Sequence, residues 1–211
     1  VSGATDFLMS NSAVAKFCFL ILTVLLFVFA MRLGSRLLSW IFAPSPSPYL
    51  INGMKSAKKM ARVIQDPRDR DSIPLLRSDN EVEGTTFTYS VWIYIEDLAN
   101  YRNGKRKHIF YKGSEKIGGT AEHQMPGGEK INVEDIAYPN NSPGLFIAEQ
   151  DNSLIVTVNT FDHILEEVTI PNIPLNKWVN VVIRVSNLNL DTFINGNIAV
   201  RHRLRSPVKQ N

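Results

Sequence analysis

Cysteine is almost missing from this chain: Cys18 is the single one among 211 residues, which excludes an internal disulfide framework and any cysteine-based zinc site. An excess of one charge is missing too. The formal net charge is only +3, and it lies at one end: residues 1–43 carry +2, residues 44–86 carry +1, and residues 87–211 are neutral. A neutral main body excludes a general nucleic-acid binder, which needs a basic stripe to neutralise phosphates. The chain has no P-loop, no G-x-G-x-x-G and no nucleophile elbow. His108, His123, His163 and His202 are scattered, without metal-ligand spacing. What remains is ordinary for a folded protein, with 44% hydrophobic and 20% charged residues. The sequence begins at Val1 rather than Met, so a processed, trimmed or incomplete amino terminus is expected.

One long apolar run stands out. Residues 17–31 read FCFLILTVLLFVFAM without a charge, and with residues 13–16 the stretch reaches bilayer length with Lys16 near its end. A cleaved signal peptide is the competing reading, but no small-x-small pattern follows Met31. The sequence therefore predicts a retained transmembrane helix and interfacial extension over 13–42 behind a short tail, 1–12. Phe17, Leu20, Leu22, Leu25, Phe27 and Met31 serve as the anchor. Arg32 and Arg36, then Lys55, Lys58, Lys59 and Arg62, lie carboxy-terminal to it, so the positive-inside rule puts the larger part on the cytoplasmic side.

Residues 43–53 form a linker that opens Ala43-Pro-Ser-Pro-Ser-Pro48. Alternating proline predicts a semi-rigid spacer of roughly 15–20 Å, at about 3.1 Å per residue. Residues 54–72 follow as a basic amphipathic helix and a loop. Lys55, Lys58, Lys59 and Arg62 share one helical face there, opposite Met54, Ala57, Met60, Ala61 and Ile64. Such a face suits anionic headgroups or an acidic partner, as do Arg32 and Arg36; a short solvated helix docked on the domain is the alternative.

From Ile73 to Asn211 the pattern changes to short alternating runs. Residues 87–95, 108–112, 144–149, 154–161, 178–185, 191–194 and 197–204 read as strands, with Asn195-Gly196 as the strongest hairpin signal. Spacing of this kind, with no helical period between, predicts a mainly β, antiparallel β-sandwich or barrel.

Two stretches carry a family resemblance. Ile73-Pro-Leu-Leu-Arg-Ser78 followed by Phe87-Thr-Tyr-Ser-Val-Trp92 resembles the opening of a concanavalin A-like (laminin-G-like) jelly roll. Pro174-Leu-Asn-Lys-Trp178-Val-Asn-Val-Val182 followed by Phe193-Ile-Asn-Gly196 resembles its later strands. With the anchor and the Ser-Pro linker, the chain is similar to membrane or minor capsid proteins of large double-stranded DNA viruses that enclose a membrane. The resemblance implies a virion internal membrane, other capsid proteins and the lipid bilayer as partners. It also implies further strands after the hairpin. Only Arg205–Asn211 follow here, so an open edge near Phe87–Ile95 or its neighbour is expected, ready to accept a partner's strand, unless the natural chain is longer.

Chemistry is expected to be absent. The glucanase pattern E-x-D-x-x-E is not met, because Glu149-Gln150-Asp151 is followed by Leu154 and runs into a turn. Glu134-Asp135 and Glu166-Glu167 are adjacent and would diverge in a strand. No catalytic, cofactor or metal residue is assigned, and loop calcium at Asp151, Asn152 and Asp191 has no supporting spacing. Lys105, Arg106 and Lys107, with Arg201, Arg203 and Arg205, are candidate partner contacts. Trp92 and Tyr94 share a strand face with Thr88 and Ser90, which makes them candidates for stacking on a carbohydrate; packing on neighbouring strands is the duller alternative. Trp178 is expected in the core. The function that follows is a non-enzymatic tether between a membrane and a protein shell, with a membrane-anchored lectin as the alternative.

Overall fold

A computed structural model describes residues 3, 5–6, 10, 12–82, 84–96, 104–115, 117, 122–124, 128 and 130–209. It divides into two compact units, residues 1–56 with 60–76 and residues 57–59 with 77–211.

In the first unit, α1 spans Ala13–Ile41, 29 residues. The Ser12 hydroxyl caps it by accepting from the Ala15 N–H at 3.1 Å, which satisfies one of the orphan donors of the first turn. Thr23 donates back to the Phe19 carbonyl at 2.8 Å, so its hydroxyl is satisfied inside the helix. The apolar side chains around it are exposed on every side, among them Phe17, Leu20, Leu22, Leu25, Phe27 and Met31. A helix apolar all round and this long is long and apolar enough to cross a membrane.

Two expectations about the following segment change. Residues 43–48 are free of helix and strand, but they bend, because the Ser45 hydroxyl accepts from the Ser47 N–H at 3.2 Å. The amphipathic helix over 54–65 is absent: this stretch is irregular, with a turn at 57–59. The physical reason is cooperativity. Twelve residues beside Gly53 and Pro67 are marginal as an isolated helix, and Met54 and Met60 of the apolar side that would stabilise them are exposed. The chain is instead closed by Ile73 N–H donating to the Ile64 carbonyl at 3.0 Å, while the Asp66 and Asp69 carboxylates each accept from the N–H two residues on.

The second unit is mainly β and antiparallel. Its strands are β1 (Asp79–Glu81), β2 (Gly84–Tyr94), β3 (Lys107–Gly113), β4 (Glu122–Gln124), β5 (Lys130–Asn132), β6 (Asn141–Ile147), β7 (Leu154–Val158), β8 (Glu166–Ile170), β9 (Trp178–Ser186), β10 (Asn189–Ile194) and β11 (Asn197–Arg203). They form a five-stranded sheet in the order β1-β2-β9-β10-β11, a four-stranded sheet in the order β3-β6-β7-β8, and the small pair β4-β5. The hairpin at Asn195-Gly196 forms as its residues demand, with φ of +50° and +82°. Gly113, at φ +154°, ends β3 directly against the Asn140 carbonyl, where a Cβ has no room.

Period-two alternation builds the core. Val179, Val181, Ile183 and Val185 of β9 face inward and meet Leu145, Leu154, Val156, Val158, Val168 and Ile170 of the other sheet in one buried apolar cluster. Each such side chain contributes roughly 1.5–3 kcal/mol when fully withdrawn from water. Parity also corrects one expectation. Trp178 is not in the core but 49% exposed, because one residue before inward-facing Val179 a side chain must point outward.

Leu204 N–H donates to the Leu188 carbonyl, Phe161 N–H to Pro207, and Lys209 N–H to Asn159, so the chain crosses from one sheet to the other with Leu204 and Val208 buried.

Candidate functional site

The outer face of the five-stranded sheet carries the largest exposed aromatic group of this unit. Register places Tyr94 of β2 opposite Trp178 of β9, and Trp92 opposite Asn180. The side chains that alternate with buried Ile93 and Val179 therefore converge on one surface. Trp92 is 63% exposed and Tyr94 47%, and the Tyr94 and Trp178 rings meet at 5.5 Å with an interplanar angle of 53°. Ile198 on β11 is also exposed on the unit's surface.

Polar groups fix the shelf. The Asn180 side-chain amide donates to the Ser90 hydroxyl at 3.1 Å, and the Asn180 N–H donates to the Asn195 side-chain carbonyl at 2.9 Å. The hairpin tip is thereby tied to the strand beneath the aromatic rings. Asp191 lies between Arg184 and Arg201 in the register, and Arg201 grips it at 2.7 and 3.2 Å, which holds the guanidinium pKa above its ordinary value. Trp92 and Tyr94 are thus brought together as the sequence suggests. Trp178, which completes the shelf, is missed by reading its type rather than its parity.

The expected basic contacts fare differently. Arg106 is not a surface contact: its side chain is 16% exposed and bridges Glu149 at 3.3 Å and Glu167. Burial opposes its charge, but these two carboxylates hold its pKa above the usual value. Lys105 lies 3.9 Å from Asp135, and Lys107 donates to the Lys105 carbonyl. The stripe of Arg201, Arg203 and Arg205 is also broken. Arg201 is spent on Asp191, β11 ends at Arg203, and the Arg205 guanidinium turns to the His163 ring at 3.1 Å. The side chain of His123 lies outside the described residues.

The carboxylates are used to hold loops and strands. Glu166 is 6% exposed; it accepts from the Arg205 N–H at 3.2 Å and sits 2.9 Å from His202 Nε2, joining β8 to the end of β11. Glu167, its neighbour on the opposite face, is exposed, as alternation requires. Asp151 caps the β6–β7 turn by accepting from the Ser153 N–H at 2.9 Å. Among the described residues no group of three His, Cys, Asp or Glu side chains converges as a metal site would need. Between the sheets, Thr85, Tyr89, Lys112, Ser142 and Lys209 line a cavity of about 10 Å³, the size of one water molecule. Burial there pushes the Tyr89 phenol up and the Lys112 ammonium down.

No protein-family model matches the chain, and no curated protein is similar to it.

Proposed function

We propose that this chain is a membrane-anchored interaction protein without catalytic activity, which ties a bilayer to a protein layer. The observation that carries the reading is the solvent-facing shelf of Trp92, Tyr94 and Trp178 on the same chain as a bilayer-length apolar helix. Large exposed aromatics rimmed by polar groups are the usual anchors of protein contacts. The two sheets on one core suit a concanavalin A-like jelly roll, and the setting this suggests is the internal membrane of a virion beneath its capsid. Arg32 and Arg36, in the carboxy-terminal third of α1 beyond its uncharged run, favour the domain on the cytoplasmic or capsid side. Protease added to sealed vesicles should then digest residues 44–211; full protection contradicts that side.

The test of the tether is a photo-crosslinking residue in place of Trp178 in native membranes. A covalent adduct with a shell protein is the expected result, and lipid adducts alone reject the reading. A second reading, a lectin, is favoured by the same shelf, since sugar rings stack on exposed aromatics. A glycan array decides between them: saccharide binding lost in Trp92→Ala and Trp178→Ala replaces the tether with a lectin.

A further inference from the structure

Four strand edges bound the two main sheets, and three of them are defended. β11 carries Arg203, β8 carries exposed Glu167 while its Glu166 is tied to the end of β11, and β3 has Lys107 and Lys112 and two register shifts. Charges and bulges of this sort prevent an edge from pairing with another chain. The fourth edge is different. β1 pairs with β2 only at Gly84, Thr85 and Thr86, and no strand among the described residues pairs with that side of residues 87–94. Those residues read FTYSVWIY, without a charge, a proline or a glycine.

The hydrogen-bonding direction of this edge follows from its register. Glu81 pairs with Gly84 across the tightest connection two antiparallel strands allow, so that pair is the hydrogen-bonded one. Counting along β2 in twos, Thr88, Ser90, Trp92 and Tyr94 aim their N–H and C=O groups away from β9. The Ile95 carbonyl, of opposite parity, accepts from Asn176 N–H on the β9 side at 2.8 Å, in agreement. The inward side chains of Phe87, Tyr89 and Val91 are only half-buried, whereas Ile93 and Ile95 further along the strand, and Val181, Ile183 and Val185 on β9, are buried, so the less covered part of this edge is its first half.

The geometry points to a second copy of this chain as the occupant: two β2 edges pair antiparallel about Val91 and join their sheets into one. This register is selected by length and by size. It uses the edge from 87 to 95 that no described strand pairs with and stops where β1 begins. It sets Trp92 opposite Ser90 of the second copy and Tyr94 opposite Thr88, a large side chain against a small one in each pair. No charge opposes a like charge along it. The pairing also merges the two aromatic shelves, and it stands independently of what those shelves bind.

The test uses the full chain in detergent micelles, with oligomeric mass measured by light scattering. Wild type should be a dimer. Ser90→Lys places a charge on the edge, and Ser90→Pro removes a donor that points only outward; both also lose the hydroxyl that accepts from Asn180, so each should be a folded monomer, by circular dichroism, with a slightly lower melting temperature. A monomeric wild type, or a dimer that survives both substitutions, overturns the proposal. Because α1 could associate by itself, Val91→Cys in a Cys18→Ser background supplies a second reading. The central non-hydrogen-bonded pair brings Cα atoms to about 4.5 Å, so oxidation should link most chains in pairs. Failure to crosslink overturns the register.

Discussion

The two main sheets share one core, yet their outer faces are opposites. The four-stranded sheet is covered on both sides: Phe146 and Ile155 point away from the shared core and are buried under Val133 and Ile136, with Tyr138 and Leu165 packed around them. Strands β6 and β7 are accordingly buried almost along their whole length. The five-stranded sheet has no such roof over Trp92, Tyr94 and Trp178. The same chain therefore covers one outer face with its own residues and leaves the other, which is the more aromatic, to the solvent. An uncovered aromatic face beside a covered one is where the proposed partner would dock.

The comparison breaks first at its covered side. Phe146→Ala should cost about 3–5 kcal/mol in denaturant unfolding, because it opens a cavity beneath the roof; a loss below about 1 kcal/mol would mean the roof is loose. Next comes the seam between the sheets. Glu166→Ala leaves the Arg205 N–H and His202 without their acceptor and should cost about 1–3 kcal/mol. On the bare face, Trp92→Ala should change stability by about 0.5 kcal/mol, and Trp178→Ala, which also loses its ring contact with Tyr94, by about 1 kcal/mol. A large loss there would show that these rings pack for the fold rather than for a partner.

The smallest expected effect is a dependence on pH at the edge of the covered face. His108, opposite Phe146 in the register, has its pKa lowered by burial. The folded state then binds the proton less well than the unfolded one, so its stabilising share is complete above the unfolded value of about 6.5 and is lost as pH falls through the folded value. Melting temperature should decline on mild acidification in wild type and decline less in His108→Phe.

Much of this contrast is legible in the sequence. The alternation in Phe87–Ile95 and Trp178–Val185 places their inward and outward residues, and Asn195-Gly196 announces its hairpin. The same alternation places Trp178 outside; only the habit of burying tryptophan puts it in the core. Three-residue β1, β4 and β5 are too short to show a period, and the two glutamates of β8 read as loop until the partners of Glu166 are known. The segment 54–65 has helical period without a surface to pack on, and tertiary packing decides such segments. Arg106 reads as a candidate partner contact because its carboxylate partners lie 43 and 61 residues away. Long-range pairing of that kind leaves no mark on local pattern.

On the proposed function, the bare face joins a protein layer to the bilayer that α1 would cross. Flotation of native membranes carrying wild-type chain or the Trp92→Ala/Trp178→Ala double variant tests it most directly, with domain folding verified by circular dichroism. Wild-type membranes should rise through the gradient with shell protein attached, and membranes with the folded double variant should rise without it. Equal amounts of shell protein in both bands would contradict the account.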